Sequence, residues 1–518
     1  MKKIFSILAL LACGSVYASQ SSYTNMFIAY YTPSDVAAMA DYAMANKLGG
    51  YIMWEAKGDT PYDSATPSLL KTLSNKYQNK TAPLVMGYWS DWSPYSNSDG
   101  PHGKAIPDAV PYPIPGATNV QNSNNPDLTK KLEGLNVITY AFLEGEPTTG
   151  SHPGTLYFFD PWSDLYAQGR NSDQDAFCAA HQDICWYVPI SRNTPIEQAG
   201  QMGNFNAFLN LKHQKTSNPL GSLKKVISIG GYGHDATFEV TFNNQTYSDN
   251  FVNSIVALMT KFKNGKQHLD GVCLDYENPN MTYRQSISFA ALVKQLSTAV
   301  GKDNITVTIL ASPAYIMGTK NNYTLGFSPG TLTDISKAVK HIDLMTYDFH
   351  GAFDYAPDGS GLTGFLTNLY LPGANDGVQN GYDPQFSVET SVEALMHALG
   401  AEYDSSQIVI GIPAYGRSLQ GISSQNGGLF QPVTKTLIPQ GNLDSAACHQ
   451  DITADLSDNG CSGAFEYRYI VNNMLGKKGF TESTRSHIDD NNNVVTSANG
   501  TTAFASKWTP WAAGADHY

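Results

Sequence analysis

Leu269-Asp270-Gly271-Val272-Cys273-Leu274-Asp275-Tyr276-Glu277-Asn278-Pro279 sets acids at regular intervals into an otherwise apolar run. In an extended strand alternate side chains share a face. Cys273, Asp275 and Glu277 then line one side, while Val272, Leu274 and Tyr276 line the other. Pro279 cannot donate to a ladder and stops the strand there. Carboxylates on the inner face of a buried strand are costly unless they are paired or used, which points to chemistry at this strand's carboxyl end. The alternative is a pair of solvated loop acids.

Short β-branched or apolar runs recur around this strand, at 84–89, 136–143, 225–232, 305–312, 341–349 and 408–416, separated by helical stretches. Alternating βα units with nearly continuous apolar strands predict an α/β fold with a parallel sheet under helices. Seven such strands are one short of a closed (β/α)8 TIM barrel, where active sites gather at the carboxyl ends of the strands. The chain's front supplies a candidate eighth: 35–47 reads as an amphipathic helix, 49–54 as a buried strand and 68–77 as a second helix. Residues 99–127, rich in Pro, Gly and Asn, read as a long surface loop. From 418 to 484 the rhythm breaks, and an inserted α+β subdomain is expected there. The tail 485–518 has no assigned structure.

Met1-Lys2-Lys3, the apolar run 4–12 and the small-residue stop Val16-Tyr17-Ala18 read as a secretory signal peptide, cut after Ala18. Leu10-Leu11-Ala12-Cys13 also fits a lipoprotein cleavage box, which would instead leave a lipid on Cys13. Without that lipid no membrane attachment is expected, since no later stretch is long and apolar enough to span a bilayer. The formal charge of −13 argues against nucleic-acid binding and suits a neutral substrate. Cys178 with Cys185 and Cys448 with Cys461 are spaced for local disulfides, leaving Cys273 over. None of these cysteine spacings makes a convincing zinc site and no glycine-rich phosphate loop follows a strand, so no metal or nucleotide cofactor is implied.

The acid-bearing strand resembles the signature of family 18 glycoside hydrolases, Asp-Gly-x-Asp-x-Asp-x-Glu on the fourth barrel strand. It matches at Asp270, Gly271, Asp275 and Glu277 and departs at Cys273. Three further segments follow the family's order: Ser228-Ile229-Gly230-Gly231, Met345-Thr346-Tyr347-Asp348-Phe349-His350-Gly351 and Gly411-Ile412-Pro413-Ala414-Tyr415-Gly416-Arg417. The resemblance implies a secreted chitinase acting on chitin or chito-oligosaccharides. Endo-β-N-acetylglucosaminidases and non-catalytic chitin-binding lectins share the fold and remain alternatives.

It also implies a substrate-assisted retaining reaction, in which the sugar's acetamido oxygen attacks the anomeric carbon and the protein supplies one acid. Glu277 would be that acid, Asp275 would accept the acetamido N–H, and Tyr347 would donate to its carbonyl. Asp348 and Arg417 would bind hydroxyls or orient neighbours. Trp54 would floor the cleavage subsite, with Tyr88, Phe142, Met345 and Tyr415 around it and Trp92 and Phe353 stacking sugars nearby. In the family the segment like 19–83 comes last, so its position here implies a circular permutation; a separate small N-terminal domain would explain the same order. A thiol at 273 stays neutral and cannot store a proton for Asp275. Asp275 is therefore expected to be ionised in the free enzyme, and Cys273→Asp to raise kcat.

Overall fold

The computed structural model describes residues 26–77, 83–90, 132–158, 203–213, 222–263, 267–318, 325–356, 358–372, 386–401, 403–423, 425–434 and 462–474. It also describes Asp164, Ile438, Gly441 and two short strands at 486–488 and 494–496. The leader with Cys13, the 99–127 loop, Trp92, both candidate disulfide pairs and most of the tail lie outside these residues.

Eight parallel strands close a barrel. In chain order they are β2 (Gly50–Trp54), β3 (Leu84–Ser90), β4 (Val137–Gly145), β6 (Lys224–Gly230), β7 (Gly271–Asp275), β8 (Ile305–Leu310), β9 (His341–Met345) and β10 (Ile408–Pro413). β2 is hydrogen-bonded in parallel to β10 on one side and β3 on the other, so the front of the chain supplies the eighth strand. The short strand β5 (Leu156–Phe158) turns back antiparallel on β4.

Alternation of side chains separates two cores. Val272, Leu274, Val307, Ile309, Ile342 and Leu344 point outward into the layer beneath the helices. Ile52, Met86, Tyr88, Phe142, Met345 and Val409 fill the interior. The helices that cover the strands are set by their caps. Thr32 and Asp35 form a capping box ahead of Pro33–Ala45, and Thr282 with Gln285 does the same for Tyr283–Val300. Phe289, Leu292, Val293 and Leu296 of the latter helix are buried against the barrel, each worth roughly 1.5–3 kcal/mol. Buried Asp59 accepts from the Leu69 and Leu70 amides and the Ser68 hydroxyl at 2.9, 3.0 and 2.7 Å, an anion seated on the positive end of Leu69–Lys76.

Beyond β10 the chain enters a second, antiparallel sheet: β11 (Tyr415–Gln420) lies between β12 (Ala464–Glu466) and β1 (Met26–Tyr30). Met26–Tyr30 carried no assignment in the sequence, and its partner is nearly the whole chain away. The two sheets are joined at the carboxyl end of β2. Ala414 N–H donates to Trp54 C=O at 2.8 Å, and buried Glu466 of β12 meets Lys57 at 3.5 Å and Arg468 at 2.8 Å. No helix among the described residues is long and apolar enough to cross a membrane.

Candidate active site

β7 ends at Asp275, not at Glu277 as the alternation suggested. The Tyr276 N–H still donates to Thr308 C=O at 3.3 Å, but Glu277 lies past the strand, at the mouth of the barrel. Tyr276 faces outward as expected, against Phe238 and Phe289 at ring separations of 5.2 and 5.0 Å. Its packing anchors the residue between the two acids.

Glu277 is held well above the usual carboxylate range, first by burial and then by the neighbouring charges of Asp275, Asp348 and Asp235. His234 partly offsets this. Its imidazole pairs with Glu144, which itself receives the Tyr157 hydroxyl, and the Glu144 bond raises the His234 pKa. Asp235 is pushed up to about 6, chiefly by burial. This setting favours the protonated form of Glu277 over the ionised one.

Asp275 lies deeper, and Cys273 deeper still, where the thiol contacts the Thr308 hydroxyl at 3.0 Å and the Tyr88 hydroxyl at 3.5 Å. Burial pushes the thiol pKa up, so it stays neutral. The expectation that Asp275 is therefore ionised is corrected by the structure. Burial raises its pKa well above the carboxylate range, and a second buried acid, Asp343 of β9, raises it further. The sequence showed Asp343 only as one acid within the apolar run His341-Ile342-Asp343-Leu344-Met345.

Tyr347 leaves the barrel just after β9, and two features fix it. Thr346 exchanges hydrogen bonds with the Gly411 backbone, its hydroxyl donating to C=O at 3.0 Å and accepting from N–H at 2.8 Å. Gly411 itself must lack a side chain, because a Cβ there would lie 2.6 Å from the Tyr347 ring. Tyr415 stands edge-on to Tyr347 at 6.3 Å. Asp348, at φ 56°, accepts both arms of Arg417, whose guanidinium also covers the Tyr415 ring at 5.5 Å.

Trp54 ends β2. Its indole is stacked on Phe142 at 5.7 Å and tilted against Tyr88 at 5.3 Å, with Met345 and Tyr347 in the same cluster. Gly231, at φ 97°, makes room for Phe142, since a Cβ would come within 2.9 Å of that ring. Phe353 is 51% exposed, and Tyr232, which the sequence reading passed over, is 80% exposed directly after Gly230-Gly231.

The family model described as "Glycosyl hydrolases family 18" matches residues 84–508. Chitinase A1 of Niallia circulans is 23% identical over 424 residues, covering 77% of this chain and 49% of its own. Chitinase B of Serratia marcescens is 26% identical over 236 residues, covering 42% of this chain and 45% of its own. The chain thus spans about half the length of these curated relatives. Among solved structures, chitinase ChiA74 from Bacillus thuringiensis shares the fold with a TM-score of 0.50 and 19% identity, covering 80% of this chain and 60% of that one.

Proposed function

The chain belongs to glycosyl hydrolase family 18, and on that premise we propose that it cleaves the β-1,4 bonds of N-acetylglucosamine polymers, chitin and its oligosaccharides, with retention. The observation that carries this reading is Glu277 at the barrel mouth, raised by burial and by Asp275, Asp348 and Asp235.

Each step then has its group. The sugar's acetamido oxygen attacks the anomeric carbon as Glu277 gives its proton to the departing glycosidic oxygen. Asp275 accepts the acetamido N–H and opposes the positive charge that develops on the ring so formed. The Tyr347 hydroxyl, steadied over Gly411, donates to the acetamido carbonyl and aims its oxygen. Water then opens the intermediate, and Glu277 takes one of its protons back. The Trp54 indole supports the reacting sugar, and Tyr232 and Phe353 offer rings to sugars beyond it. Asp348, clamped by Arg417, meets hydroxyls and adds to the field that keeps Glu277 protonated.

We also propose that the chain is circularly permuted relative to its family. The family match opens at Leu84, while β2, which pairs with both β3 and β10, comes before it. The leader 1–18 supports export. Products released from N-acetylglucosamine oligomers of increasing length test the activity. Shorter oligomers support it; tight binding without cleavage would mark a sugar-binding protein, and cleavage confined to N-glycan cores an endo-β-N-acetylglucosaminidase.

A further inference from the structure

Three neighbouring strands bring one polar layer together inside the barrel. Asp275 of β7 is level with Thr308 of β8, and Thr308 is level with Asp343 of β9. Since Leu274, Ile309 and Leu344 face the outer core, these three side chains face inward. Asp343 is 0% exposed. Neither of its carboxylate oxygens, nor Oδ1 of Asp275, makes a hydrogen bond of good geometry among the described residues. The groups facing this layer are Tyr88 from β3, Cys273 from β7, Thr308 from β8 and Tyr347 just past β9, with Glu277 above. None is a cation. Tyr88 and Cys273 both contact the Thr308 hydroxyl, at 3.1 and 3.0 Å, which leaves its single proton shared among several acceptors.

Two carboxyl groups buried together without a cation cannot both ionise, so one proton must remain on the pair. We propose that Asp343 is the positioning acid that stores this proton for Asp275, from two strands away, in place of the neutral thiol beside Asp275. When Asp275 carries the charge that faces an acetamido N–H, Asp343 is the neutral acid. When Asp275 is protonated, Asp343 carries the charge at depth. The proton moves within the pair, so the total charge in the barrel is constant and no group outside the pair is consumed.

The inference rests on the hydrolase reading for its catalytic consequence but not for the shared proton, and both are measured. Asp343→Asn, Cys273→Asp and the double variant are compared with wild type on a chitin tetramer across about pH 4 to 9. Melting temperatures of the free proteins are followed over the same range. Asp343→Asn should lower kcat roughly tenfold or more and move the acidic limb, with KM changed less than about threefold, and the double variant should recover most of that loss. Cys273→Asp alone should not exceed wild type, because the proton store is already present; the sequence by itself had suggested a gain. Wild type should also lose more stability than Asp343→Asn as the pH rises, since wild type holds its protons on two buried, raised carboxyls and the variant on one. A kcat for Asp343→Asn within about twofold of wild type with an unchanged acidic limb, a severalfold gain for Cys273→Asp, or parallel melting profiles would each overturn the proposal. Absence of turnover by wild type defeats the hydrolase reading instead, and the melting profiles then decide on Asp343.

Discussion

The guanidinium of Arg417 grips the carboxylate of Asp348 with two parallel bonds, Nε to Oδ1 at 2.9 Å and Nη2 to Oδ2 at 2.8 Å. Arg417 sits mid-strand in β11, level with Ala29 on one side and Ala464 on the other. The second sheet thus reaches into the barrel mouth through one planar clamp, and the residue after Tyr347 is held by it. Lysine cannot form both bonds. Arg417→Lys should cost about 1–2 kcal/mol of transition-state stabilisation, roughly a tenfold fall in kcat/KM, with a smaller effect on melting because the pair is part-exposed. Steady-state kinetics on a chitin oligomer checks this.

Gly411 is small because Tyr347 lies on it. An added Cβ would stand 2.6 Å from Cε1 and 2.7 Å from Cδ1 of the ring, and 3.0 Å from the Leu344 carbonyl oxygen. Gly411→Ala should therefore tilt the phenol more than it unfolds the barrel. A loss of about 1–3 kcal/mol in stability should accompany a larger proportional loss, on the order of a hundredfold, in kcat. Denaturant melts and kinetics on the same preparation separate the two.

The buried active-site acids should make stability fall as the pH rises from acid to neutral, against an opposite contribution from His341, which burial lowers to about 4. Glu277 and Asp275 bind their protons more tightly folded than unfolded. Their contribution is complete below the ordinary carboxylate range and is lost as pH rises through the folded values. His234, also raised, acts in the same direction above its ordinary value of 6.5. Each unit by which a folded pKa exceeds the unfolded one is worth about 1.4 kcal/mol. Glu277→Gln should flatten the profile, which melting temperatures in matched buffers will show.

Removal of residues 19–80 should leave an insoluble chain. β2 is bonded to a strand on each edge, and its loss would open the barrel and expose both. Lys57 and Trp54 would go with it, leaving Glu466 in a buried ion pair short of one partner. A soluble, active chain beginning near Leu84 would contradict this.

Much of the architecture could be read from the chain because local pattern and tertiary role agree there. The barrel strands are nearly continuous apolar runs, and Asp275 and Glu277 stand out in and just after theirs, where buried acids need a reason. Met26–Tyr30 could not be read, since a five-residue strand is stabilised by partners at Tyr415–Gln420 that only the fold brings near. Asp343 was hidden differently. One acid inside an apolar run is ambiguous until the barrel turns it toward Asp275. Cys273, judged by its own strand alone, pointed to an ionised Asp275, and only the neighbouring strand reverses that conclusion. The exposure of Tyr232 is a property of a turn whose shape depends on Gly230 and Gly231 at φ 99° and 97°.

In the proposed reaction Glu277 gives up the proton. Glu277→Gln keeps the size and much of the polarity of the side chain but cannot act as an acid, so hydrolysis and binding should separate. The decisive measurement is turnover of a chitin tetramer by this variant, with binding followed by calorimetry on the same protein. A fall in kcat of roughly 10²–10⁴ is expected, with affinity kept within about fivefold, or about 1 kcal/mol. Turnover within about tenfold of wild type would show that another group supplies the proton.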